Sequence, residues 1–76
     1  MKTEEILIED DFITLNQLLK LANVFESGGM IKNYIKDVGV YVNDDLEQRR
    51  GRKLYHQDII HIEDQIILKI VSKKAK

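Results

Sequence analysis

Two short stretches hold the residues whose types and spacing could do chemistry. The first is SGGMIK, from Ser27 to Lys32. A serine caps a helix by accepting from an amide in its first turn. Gly28 and Gly29 then stand where Cβ atoms would hold a ligand off the exposed amides, and a helix N-terminus carries a partial positive charge that suits an anion. Lys32 lies one turn on and Lys36 one turn further along the same face, each adding a full charge. The second stretch is RRGRK, where Arg49, Arg50, Arg52 and Lys53 put four cations in five positions. Arginine forks match phosphate oxygens two at a time, and Gly51 lets a strand bend or approach a groove. Neither stretch has the GxxxxGK[ST] or GxGxxG spacing of a nucleotide site. The anion they point to is the phosphate of a polymer backbone.

Each stretch also has a structural reading, and the residues alone leave both open. Paired glycines let a chain turn sharply between two packed helices. A run of cations is commonly a solvated surface, or it pairs with neighbours, here Asp44, Asp45 and Glu47.

Other chemistry has little to build on. His56 and His61 are five apart, a spacing that strand alternation need not bring together, and no carboxylate–histidine pattern suggests a metal. His61 is expected as an exposed strand residue and His56 as a loop residue. Ser27 has no sequence-adjacent base, so capping outweighs a nucleophilic role. No catalytic residue, metal, cofactor or small-molecule substrate is expected, and the chain is not read as an enzyme.

The elements that must position these residues follow from periodicity. Ile6, Leu7 and Ile8 form a short apolar run between acids, a strand. Thr14 with Gln17 three residues later has the capping-box spacing. Leu15, Leu18, Leu19 and Ala22 then share one helical face, which leaves Asn16, Lys20 and Asn23 on the wet side. A second helix starts after Ser27, repeats the same spacing in Ile31, Tyr34, Ile35 and Val38, and stops at Gly39, placed for a left-handed C-terminal cap. Beyond it the period becomes two. VYV is a strand, NDD a turn and LEQRR a returning arm. DIIHIEDQIILKIVS gives two strands about a turn near Glu63, Asp64 and Gln65, with Ile60 and Ile62 on one face and Ile66, Leu68 and Ile70 on one face. The fold class predicted is α+β: two packed helices followed by a small, mainly antiparallel sheet, with a short N-terminal strand.

The totals allow one small domain over residues 1–76. Residues 1–12 are its strand and acidic segment, and 73–76 a frayed tail. There is no cysteine, hence no disulfide or thiolate metal site. No apolar run reaches the ~20 residues of a membrane helix, and MKTEEILIEDD is too acidic for a signal peptide. A soluble, cytoplasmic protein without a membrane partner is expected. The formal net charge of −1 conceals an asymmetry, because residues 1–11 carry five acids and one lysine. The remaining 65 residues have 11 basic and 8 acidic side chains. Local pattern, rather than net charge, therefore indicates the partner.

Over residues 13–62 the chain resembles the S-four RNA-binding domain, or alpha-L motif, named for a small-subunit ribosomal protein. The signature is a Leu-rich helix, a loop to Ser, a second helix ending near Gly, then V-x-V-N and a later Asp. Leu15, Leu18, Leu19, Ser27, Lys32, Ile35, Val40, Val42, Asn43 and Asp58 occupy those places. SGGMIK and RRGRKL are similar to compact stand-alone bacterial members. The chain has Thr14, Leu15 and Asn16 where many members have Arg-Leu-Asp, Gly28 where many have Arg, and Asp44 where Gly is usual. The resemblance implies two helices against a small twisted sheet and binding of structured RNA, ribosomal above all and transfer RNA as a second option. It also implies association with ribosomal particles or their assembly. The residues expected to contact RNA are Asn16, Gln17 and Lys20 of the first helix, and Ser27, Gly28, Gly29, Lys32 and Lys36 of the second. Arg49, Arg50, Arg52 and Lys53 join them; Tyr41 and Tyr55 each have two readings, a stacking platform for an unpaired base or packing in the sheet. The alternative is a small protein-interaction module that uses an exposed sheet edge or the acidic N-terminus.

Overall fold

A computed structural model describes residues 2–25, 27–63 and 66–74 of the chain. Its elements are β1 (Lys2–Ile8), β2 (Phe12–Thr14), α1 (Leu15–Leu21), α2 (Gly28–Asp37), β3 (Val40–Val42), β4 (Asp45–Glu47), β5 (Lys53–Tyr55), β6 (Ile59–Ile62) and β7 (Ile66–Ser72). Five strands form a sheet in the order β1-β7-β6-β3-β4, while β2 and β5 pair as a separate ribbon. The class is α+β. A strand was expected ahead of the helices and is present as β1; a second, β2, also precedes α1, and β1 lies at an edge of the main sheet. There β1 runs parallel to β7, with Ile6 opposite Ile70 and Ile8 opposite Ser72. The other pairings are antiparallel.

Both helix starts are capped as their sequences require. Thr14 and Gln17 form a complete capping box at α1, and Ser27 Oγ accepts from Met30 N at 3.3 Å in α2. At the far end of α2, Gly39 takes φ +84° and its amide donates to Tyr34 O at 2.9 Å. A Cβ there would lie 2.9 Å from the Glu47 carbonyl oxygen and 2.8 Å from Gln48 Cγ, so this glycine is fixed by packing and by conformation alike. Asn43 and Asp44, both at positive φ, make the two-residue turn between β3 and β4. Glu63 is also at positive φ; Asp64 and Gln65 of the expected turn lie outside the described residues.

One face of the main sheet packs on the helices. Leu15, Leu18 and Leu19 meet Ile31 and Ile35 over Val40, Val42, Ile60, Leu68 and Ile70. Leu54 of β5 joins the same core and ties the ribbon to it. The alternate residues look away from the helices, and Leu7, Tyr41, Leu46 and Ile59 are exposed there. His61, expected to be exposed, is half-buried between Tyr41 and Ile67 in the cross-strand register, and its Nε2 has no partner among the described residues. His56 accepts from Ser72 N at 3.0 Å through Nδ1. At the tail, Lys73 N donates to Ile8 O at 2.9 Å, while residues 75–76 lie outside the described residues. No described helix is long and apolar enough to cross a membrane.

Candidate nucleic-acid interface

The basic loop between β4 and β5 is fastened to the start of α1 by its backbone. Leu15 N donates to Arg52 O at 2.9 Å, and Asn16 N donates to Arg50 O at 3.0 Å. Two of the amides that a helix start leaves unpaired are thus consumed by the loop, and Thr14 Oγ1 takes a third from Gln17 N at 3.3 Å. The other end of the loop is held to α2, where Gln48 Nε2 donates to Lys36 O at 3.2 Å. RRGRK is therefore a strap tied to the start of α1, with Gln48 just ahead of it tied to the end of α2.

The start of α2 is arranged differently. Apart from the Ser27 cap on Met30, the amides of Gly28 and Gly29 donate to no acceptor among the described residues. Nor does packing require these glycines. A Cβ on Gly28 would meet only the end of the Lys20 side chain, Cε at 3.6 Å and Nζ at 4.0 Å, and one on Gly29 would meet only Ser27 Oγ at 3.9 Å. Gly51 in the strap has open space around it. The tight-corner reading of the paired glycines thus finds no support in local sterics. The same contact places the Lys20 side chain, one turn after Asn16, beside Gly28 at the start of α2. A continuous ribbon runs from Arg50 through Asn16 and Lys20 to Gly28, and onward to the exposed Lys32 and Lys36 at four-residue spacing.

The four cations of the strap are not equivalent. Glu47, only 5 % exposed, accepts from Arg49 Nε and Nη2, both at 3.0 Å, and from Arg52 Nη1 at 2.8 Å. The backbone amides of Gln48 and Arg49 also donate to it, each at 3.1 Å. The Arg49 hydrogen bond above all, with Arg52 beside it, holds the Glu47 carboxyl down at about 2 against the opposing effect of burial. Arg49 and Arg52 are thus partly neutralised and fixed in place, whereas Arg50 and Lys53 make no ion pair among the described residues. The pairing expected from sequence is realised with Glu47. That role was open to inference: a two-residue turn places Glu47 opposite the inward-facing Val40.

Where the strap enters β5, Lys53 and Tyr55 project from the same side and both are exposed, while Leu54 between them is buried. With Arg49, Gly51 and Arg52 they line an open depression of about 460 Å³. Tyr41, the other stacking option, lies on the opposite face of the main sheet. Gln17 also stands apart. Its Oε1 closes the capping box with Thr14, and it borders a groove with Glu9 and Asp10, an unfavourable setting for a phosphate. The acidic segment is held by β1 pairing and by an ion pair between Glu9 and Lys73 at 3.5 Å. The ion pairs of Arg49 and Arg52 in the strap go to Glu47. Asn43 and Asp58, conspicuous in the sequence pattern, bind each other at 3.0 Å, and they also satisfy Ile59 N and Tyr55 N. They join the β3–β4 turn to the β5–β6 turn. No group of acids and histidines with metal-binding geometry occurs among the described residues.

A family model described as "S4 domain" matches residues 6–71. The chain belongs to the S4 domain family. The match contains the whole of residues 13–62 and extends it to the end of β1 and to most of β7, which pair with each other. A curated protein of Bacillus subtilis (strain 168), "Probable ribosome maturation protein RlbA", is 52% identical over 58 residues, covering 76% of this chain and 82% of that protein. The ribbon from strap to α2 combines exposed cations with helix-start amides that have no acceptor among the described residues.

Proposed function

We propose that this S4 domain protein is a non-catalytic, cytoplasmic binder of structured ribosomal RNA that acts on ribosomal particles during their maturation. The ribbon carries the reading: cations that make no ion pair among the described residues lie beside a helix start whose amides find no acceptor there and whose glycines leave room for a phosphate. The relative described as a ribosome maturation protein supports the ribosomal choice over transfer RNA. Within the surface, Arg50, Lys53, Lys20, Lys32 and Lys36 supply charge, while Ser27, Gly28, Gly29 and Asn16 supply hydrogen bonds. Arg49 and Arg52 keep the strap in shape and add a reduced share of charge.

Co-sedimentation of the chain with ribosomal subunits and their precursors, challenged with transfer RNA, tests this reading. The expected result is migration with a ribosomal particle at low salt, release as salt rises, and survival of the complex under transfer RNA excess. Salt-insensitive retention would point instead to protein contacts. Efficient displacement by transfer RNA would move the substrate away from ribosomal RNA.

A further inference from the structure

Resting on that reading, we infer that the depression beside the strap is a seat for one unpaired nucleotide, its base stacked on Tyr55 and its phosphate held by Lys53 and the strap. The RNA partner would then carry an extruded base next to a structured phosphate backbone, as in a bulge or loop, rather than being an uninterrupted helix.

Three observations carry the inference. Tyr55 is 50% exposed and Phe12, its cross-strand neighbour, is 39% exposed, with ring centroids 6.1 Å apart and planes inclined at 50°. The burial that this strand contributes comes from Leu54, which is fully enclosed, so core formation does not account for the two open rings. Next, Lys53 Nζ stands 4.8 Å from the centre of the Phe12 ring, which places a cation beside the aromatic pair. Finally, Arg52 is fixed by Glu47 and Gly51 has nothing within 4 Å of a would-be Cβ, leaving a preset cation and an unobstructed approach on the other side. An exposed ring with cations close by is the arrangement that receives a base and its phosphate together. A cross-strand aromatic pair serving only the β2–β5 ribbon would explain the contact between the rings, but not the three cations, Arg49, Arg52 and Lys53, that line the depression with Tyr55.

Stacking and phosphate contacts leave different marks in a salt series. Loss of a phosphate contact flattens the dependence of affinity on salt, whereas loss of a stacked base lowers affinity equally at every salt. Tyr55→Leu is therefore expected to bind ribosomal RNA about 10-fold more weakly across the series with the slope unchanged, and Tyr55→Phe to stay within about threefold of the parent. Equal affinity of parent and Tyr55→Leu, or an equal loss in Tyr55→Phe, would overturn the seat. No binding by the parent chain would overturn the RNA reading and the seat together. A second readout does not depend on how well Tyr55→Leu folds. The chain has three tyrosines and no tryptophan, so a Tyr34→Phe/Tyr41→Phe variant reports Tyr55 fluorescence alone. Quenching on addition of ribosomal RNA is expected, and unchanged emission at saturating RNA would overturn the proposal.

Discussion

Glu47 shows how one buried carboxylate can organise a basic surface without cancelling it. Its two arginines bend the strap, so that Arg50 and Lys53 are left to solvent. Glu47→Gln keeps the shape and removes the charge, and it is expected to destabilise the fold by about 2 kcal/mol, measured by urea unfolding near neutral pH. The pH dependence has a definite sign. The folded carboxyl titrates at about 2, below its usual 4.5, so its contribution is complete above pH 4.5 and is lost as pH falls toward 2. The difference in stability between parent and Glu47→Gln should therefore shrink through that window, read from urea midpoints at several pH values. Gly28 and Gly29 give the opposite kind of prediction. Alanine at both positions meets no clash and should stabilise the fold by about 0.5 kcal/mol per site, because the unfolded chain loses freedom. If a phosphate sits on these amides, the same variant should bind ribosomal RNA roughly tenfold more weakly, the loss of about one charge-assisted hydrogen bond. Thermal melting and a binding titration on one preparation check both halves.

At the scale of elements, the Asn43–Asp58 pair separates fold from function. Both residues belong to the sequence pattern by which the family is recognised, yet their hydrogen bonds join two turns and leave the ribbon untouched. Asn43→Ala should cost about 1–2 kcal/mol of stability and leave RNA affinity unchanged when measured well below the melting transition. The two helices, their caps, the Gly39 stop and the Asn43–Asp44 turn were legible in the sequence because each depends on residues within a few positions of one another. The parallel seat of β1 against β7 was not, since Ile6 and Ile70 meet across nearly the whole chain and no local pattern names that partner. The β2–β5 ribbon was hidden for the same reason, and because Thr14, its last strand residue, already carries the mark of a helix cap. In the candidate site, residue types were readable and their connections were not. Sequence placed Asn16 and Lys20 on one face, but only the fold brings Arg50 to the first and Gly28 to the second. Gln17 was assigned to the same surface because capping and ligand contact draw on the same amide chemistry, and the geometry engages it in the cap.

For the whole molecule, the net charge of −1 is a poor guide because the charges are sorted by position in the fold. The acids of the first segment are built into and beside the β1 edge, while Lys20, Lys32, Lys36, Arg50 and Lys53, which make no ion pair among the described residues, lie on the helices and the strap. That sorting gives the small domain one face suited to a polyanion. The most direct test is the salt dependence of ribosomal RNA binding by the parent chain and by Lys20→Ala/Arg50→Ala, a pair that leaves the Glu47 pairing intact. With about four phosphates neutralised, the parent should lose roughly 50- to 150-fold in affinity between about 50 and 200 mM salt. The double variant should melt like the parent, bind more weakly at low salt, and show a log–log slope shallower by about two. Parent-like affinity and slope in a folded double variant would contradict the account, because the two cations that join the strap to α2 would then lie outside the RNA contact.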